Sequence, residues 1–122
     1  MEPVTLLIVD DEVSILNIFR LILEASGYRV DTASTAEEGI RLVTPGKYQI
    51  CLLDLNLPDM HGTELVRVIH EMDPGMKKLM ITGEYTGQDM ELAKKNGADG
   101  FIQKPVNKAG LLEAIRNALK EE

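Results

Sequence analysis

The 122-residue sequence predicts a doubly wound α/β domain, a five-stranded parallel sheet flanked by five helices. Two observations carry this. Leu6-Leu7-Ile8-Val9, Ile50-Cys51-Leu52-Leu53 and Leu79-Met80-Ile81 are nearly unbroken apolar runs, the pattern of strands buried on both faces. Stretches whose apolar residues keep helical spacing lie between such runs, and the two patterns alternate along the chain. Right-handed crossovers then leave few ways to wind it.

The elements follow in order. After the first strand, Ile15, Ile18, Phe19, Ile22 and Leu23 form a helical stripe that Gly27 stops. Tyr28 to Thr32 is a weaker second strand. Thr35 and Glu38 form a capping box before Ile40 and Val43. The third strand ends at Leu53. Leu65, Val66, Ile69 and Met72 mark the third helix, ended by Pro74-Gly75. After the fourth strand, Thr86 and Asp89 cap a helix that carries Met90 and Ala93 and stops at Asn96-Gly97. Gly100 to Gln103 is the fifth strand, and Leu111, Leu112, Ile115 and Leu119 mark the fifth helix after Asn107. No linker, repeat or low-complexity segment interrupts the pattern, so residues 1–122 read as one domain.

Composition narrows the function. The net charge is -7, from 20 acidic and 13 basic residues. A surface that tracks phosphates has the opposite sign, so direct nucleic-acid binding and docking to anionic lipid are not expected. Cys51 is the only cysteine, which excludes an internal disulfide and a four-cysteine zinc site. Its apolar neighbours make it a core residue. There is no basic signal-peptide start and no apolar run of membrane-spanning length, so the expected location is the cytoplasm.

In an open α/β sheet the functional crevice lies outside the carboxyl ends of the strands. The residues that follow the strands are therefore the candidates. They are Asp10, Asp11 and Glu12 after the first, Asp54 after the third, Thr82 and Gly83 after the fourth, and Lys104 and Pro105 after the fifth. Each has an ordinary reading: Asp10 and Asp11 suit a helix cap, Thr82 a strand-end hydroxyl, Lys104 a solvated loop. Together they converge on one rim. Clustered carboxylates repel unless a cation is present, and Mg2+ favours oxygen ligands. A lysine beside them can pair with a carboxylate or a phosphoryl oxygen. Two cations flanking one carboxylate let a phosphoryl dianion approach an aspartate.

The segments Leu6-Leu7-Ile8-Val9-Asp10-Asp11-Glu12, Leu52-Leu53-Asp54-Leu55-Asn56-Leu57-Pro58-Asp59-Met60-His61-Gly62, Met80-Ile81-Thr82-Gly83 and Gly97-Ala98-Asp99-Gly100-Phe101-Ile102-Gln103-Lys104-Pro105 together resemble the receiver domain of bacterial two-component response regulators, of the chemotaxis-receiver kind. The resemblance runs from about Val4 to the last helix. It implies a flavodoxin-like strand order 2-1-3-4-5. It implies Asp54 as phosphoacceptor, with Thr82 and Lys104 contacting the phosphoryl oxygens. Mg2+ would be held by the carboxylates of Asp11 and Asp54 and the backbone carbonyl of Asn56, with Asp10 acting through a metal-bound water. Thr82 and Phe101 would form the switch, although Phe101 also suits an ordinary core ring. The Lys104–Pro105 bond is often cis in the family. Asn56 and Glu84, with the small Gly83, resemble receivers that lose the phosphoryl group quickly.

The implied partners are a sensor histidine kinase or histidine phosphotransfer protein, then an output domain or target protein, with a phosphorylation-dependent homodimer compatible. Such a chain is a regulatory phosphoacceptor that promotes only its own phosphorylation and dephosphorylation. The enzyme alternative is a Mg2+-dependent phosphatase or phosphotransferase acting on a separate small substrate, but that class wants a second acid two residues after the nucleophile, where this chain has Asn56. Glycine-rich phosphate loops are absent from the sequence. His61 and His70, the only histidines, do not suggest zinc. On the first helix, Val13, Leu16 and Leu21 fall outside the apolar stripe and are expected to be at least partly exposed. Val13 and Leu16, with Asn17 and Arg20, make a candidate docking surface for the phosphodonor. The other reading is that these apolar side chains pack under the loop after the fifth strand.

Overall fold

The computed structural model describes residues 2–120. Five strands and five helices alternate: β1 (Thr5–Val9), α1 (Val13–Ala25), β2 (Arg29–Ala33), α2 (Ala36–Leu42), β3 (Ile50–Leu53), α3 (Gly62–Met72), β4 (Lys77–Thr82), α4 (Gly87–Lys95), β5 (Gly100–Gln103) and α5 (Lys108–Lys120). All pairings are parallel, in the order β2-β1-β3-β4-β5. β2 lies one residue later than the sequence suggests, and β4 extends through Lys77 and Lys78.

Strand alternation splits the core into two layers. Leu7, Val9, Cys51, Leu53 and Met80 face α2, α3 and α4. Leu6, Ile8, Ile50, Leu52, Leu79 and Ile81 face α1 and α5. These central strands are apolar on both faces because helices cover both. Burying each such side chain stabilises the fold by about 1.5–3 kcal/mol. Thr86 and Asp89 cap α4 reciprocally at 3.0 and 2.9 Å. Thr35 caps α2, but Glu38 reaches Ser34 N rather than the cap residue. Lys78 is a buried lysine at the start of β4 whose ammonium donates to the Met76 carbonyl. Burial lowers its pKa, opposed by the charge of Asp99.

The phase of α1 corrects the sequence reading. Its buried residues are Leu16, Phe19 and Leu23. Leu16 is 5% exposed, while Ile18, expected in the core stripe, is 51% exposed. Leu16 is therefore a core residue and not part of a docking surface. Apolar residues occupy most of this helix, so more than one stripe satisfies the 3.6 period, and the position of the sheet selects among them. Val13 and Leu21 are exposed as expected, at 60% and 70%.

Candidate acidic site at the carboxyl rim of the sheet

Register builds the site. Val9 lies opposite Leu53, so Asp10 and Asp54 leave adjacent strands side by side. Thr82 lies opposite Gln103, so Lys104 leaves the sheet next to Thr82. The ladder continues one residue further: Asp54 N donates to Val9 O at 2.9 Å, Asp10 N to Ala33 O at 3.0 Å, and Lys104 N to Thr82 O at 2.9 Å. These bonds fix the backbones from which the site side chains project.

Asp10, Asp54 and Thr82 are buried, whereas Asp11 is exposed at the mouth. Carboxylate oxygens of Asp10, Asp11 and Asp54 lie within 4.8 Å of one another. The Lys104 ammonium is 2.7 Å from Asp10 Oδ2, 3.1 Å from Glu12 Oε1 and 3.8 Å from Asp54 Oδ2. Asp10 Oδ1 accepts from Glu12 N at 2.9 Å, and Asp54 Oδ1 accepts from Leu55 N at 2.8 Å. Protein donors thus engage both oxygens of Asp10. Asp54 Oδ2 is turned toward the ammonium.

Burial raises the Asp54 pKa, and the charge of Asp10 adds to it; Lys104 and the backbone N–H groups of Leu55 and Asn56 oppose the rise. Burial acts to lower the Lys104 pKa, but its hydrogen bond and attraction to Asp10, with Glu12 and Asp54 behind them, raise it overall. The lysine is charged, and the pocket still holds more carboxylates than cations. The donors are all oxygens. An octahedral shell at about 2.0–2.1 Å places its oxygens roughly 3–4 Å apart, within the spread of this cluster. The residues present therefore fit a hard divalent cation. Asp11, Asp54, Asn56, Thr82 and Lys104 also line an open cleft of about 350 Å³.

The loop after β3 is held from two sides. Asn56 and His61 pair as an isolated antiparallel bridge, and Gly62 N donates to Leu55 O at 2.5 Å. A Cβ on Gly62 would sit 2.6 Å from Leu55 Cα and press on the Asp54 carbonyl. From the other side, Asp59 accepts from Ala36 N and Glu37 N, both at 2.9 Å. These two amides, at the start of α2, lower the Asp59 pKa. The sequence reading missed this clamp, because a carboxylate capping a helix more than twenty residues away leaves no local signal.

The remaining candidates are placed as follows. Thr82 Oγ1 donates to the Glu84 carbonyl at 3.2 Å, which Asn56 Nδ2 also approaches at 3.5 Å. Phe101 is half-buried, its ring 6.3 Å from that of Tyr85. The Lys104–Pro105 bond is cis. Asn17 is exposed beside Val13. Arg20 is half-buried and donates to Val30 O at 3.3 Å.

A family model described as the response regulator receiver domain matches residues 6–116. Among curated proteins, the transcriptional regulatory protein GlrR of Escherichia coli (strain K12) is 34% identical over 120 residues, covering 98% of this chain and 27% of that protein. The uncharacterized transcriptional regulatory protein YkoG of Bacillus subtilis (strain 168) is 32% identical over 121 residues, covering 99% of this chain and 53% of that one. The chain thus spans about a quarter to a half of these relatives. Among solved structures, a response regulator receiver domain protein (CheY-like) from Methanospirillum hungatei JF-1 superposes with a TM-score of 0.94 at 42% identity, covering 97% of this chain and 94% of that one. The non-phosphorylated HemR receiver domain from Leptospira biflexa gives 0.91 at 27% identity, covering 98% and 96%.

Proposed function

The chain belongs to the response regulator receiver domain family, and from that premise we propose that Asp54 is the residue that accepts the phosphoryl group. A receiver is the phosphoacceptor signalling module of a two-component system, and that is this chain's function. The observation that carries the assignment is Asp54 itself. It is a buried carboxylate whose Oδ1 is held by the backbone while Oδ2 faces an ammonium at 3.8 Å.

In the proposed reaction Oδ2 attacks phosphorus. The P–O bond forms as the P–N bond of a phosphohistidine breaks, and the bonding pair returns to the imidazole nitrogen. Lys104 and Thr82 donate to the phosphoryl oxygens. Asp11, Asp54 and the Asn56 carbonyl would hold Mg2+, with Asp10 acting through water; bound there, Mg2+ supplies positive charge against the phosphoryl oxygens. For Thr82 to reach that group, its hydroxyl must leave the Glu84 carbonyl. The space it vacates lets Phe101 turn inward and changes the face formed by α4, β5 and α5.

The proposed donor is a sensor histidine kinase or histidine phosphotransfer protein, met by the exposed Val13 and Asn17. Arg20 is already engaged by Val30 and contributes less freely. Output passes to a further domain or a target protein, a reading supported by regulators in which this chain matches only part of the length. Residues 1–122 would act as one receiver unit. No helix among the described residues is long and apolar enough to cross a membrane, and we place the domain in the cytoplasm. The polar Asn56 and Glu84 beside Gly83 support a short-lived phosphoryl state.

The test is donor selectivity. With Mg2+, the protein should consume acetyl phosphate, lose that ability in excess chelator, and leave an alkyl phosphate ester untouched. Sustained turnover of the alkyl ester would favour a phosphatase instead.

A further inference from the structure

Lys104 has three N–H donors. Asp10 takes one at 2.7 Å and Glu12 a second at 3.1 Å, while Asp54 Oδ2, at 3.8 Å, is beyond hydrogen-bond reach. The two partners are not equivalent. Asp10 is fully buried, so releasing it would strand a charge in the protein interior. The Glu12 side chain is 58% exposed and is rehydrated at once when released. Glu12 occupies the N-cap position of α1, yet its side chain makes no capping bond. Its carboxylate is committed to the lysine instead.

We propose that Glu12 is a positioning residue that holds Lys104 off the acceptor and releases it to the incoming phosphoryl group. This rests on Asp54 being the acceptor. As the phosphoryl group arrives, Glu12 lets go, and the ammonium swings toward Asp54 about its bond to Asp10, bringing its other N–H groups to the phosphoryl oxygens. Glu12 then sets how readily the lysine is freed, and so tunes labelling without touching the reacting atoms.

Two variants separate this from a general charge effect. Glu12→Gln removes charge and ion pair together. Glu12→Asp keeps the charge but shortens the arm by one methylene, pulling the carboxylate back from the ammonium. Labelling by acetyl phosphate and the Lys104 Hε–Cε resonances of the unphosphorylated protein are measured in both. Freed from Glu12, the lysine should let both variants label about two- to five-fold faster, and both should move the Lys104 resonances. The proposal is overturned if Glu12→Asp keeps the parental rate while Glu12→Gln accelerates, if neither accelerates, if either slows, or if the resonances stay in place. Absence of labelling in the parent protein would instead overturn Asp54 as acceptor, so the two failures are distinguishable.

Discussion

Substituting Gly62 by alanine adds one methyl group directly beneath the proposed acceptor. Gly62 opens α3 and its backbone φ is not positive, so alanine meets no conformational bar there. By helix propensity alone the change would stabilise the protein by up to about 1 kcal/mol. Space decides otherwise. The new Cβ would lie 2.6 Å from Leu55 Cα and 3.0 Å from Leu55 O, where ordinary contact begins at 3.4 Å. The obstruction is backbone, pinned by the 2.5 Å bond from Gly62 N to Leu55 O and by Asp59 on α2. The Asp54–Leu55 segment must therefore move by roughly 1 Å, at an overpacking cost of about 1–3 kcal/mol. At roughly 4 °C per kcal/mol, the melting temperature falls by about 4–12 °C. A displacement near 1 Å at a reacting group lowers rate on the order of 100-fold. Thermal unfolding and the rate of acetyl phosphate labelling, measured well below the melting transition, test both figures. A Gly62→Ala protein that is as stable as its parent and labels at the parental rate would show that the Asp54–Leu55 backbone is not confined there.

Leu16→Ala should destabilise by about 2–5 kcal/mol, because Leu16 lies in the core, whereas Val13→Ala should change stability by less than about 0.5 kcal/mol. Denaturant titration separates them, and equal midpoints would return Leu16 to the surface. Asp54→Asn should raise the melting temperature at neutral pH, since burial and the charge of Asp10 raise the acceptor's folded-state pKa. A carboxylate with a raised folded pKa destabilises the fold above that pKa and ceases to below the unfolded value, near 3.9. The advantage should therefore shrink as pH falls through that window; an advantage that grows toward acid would contradict the assignment.

How much was legible in the sequence follows from which forces are local. The central strands are readable because burial on both faces forces unbroken apolar runs, and Ile50–Leu53 and Gly100–Gln103 are found where the sequence places them. The site residues are readable because a parallel sheet gathers whatever follows its strands on one rim. The phase of α1 is not, because a helix with too many apolar positions leaves the sheet to choose between Leu16 and Ile18. The clamp by Asp59 and the role of Glu12 are not legible for another reason. Asp59 stands in the sequence as one letter of a motif, and Glu12 as a third acid among the candidates after the first strand. Their partners, the α2 amides and Lys104, lie far along the chain and are brought to them only by the fold.

Whether Asp54 takes the phosphoryl group is read by peptide-level mass analysis after incubation with acetyl phosphate and Mg2+. The protein should gain one phosphoryl group, on the peptide containing Asp54, and Asp54→Ala should gain none. The same mass gain in Asp54→Ala, or localisation to another residue, would contradict the assignment.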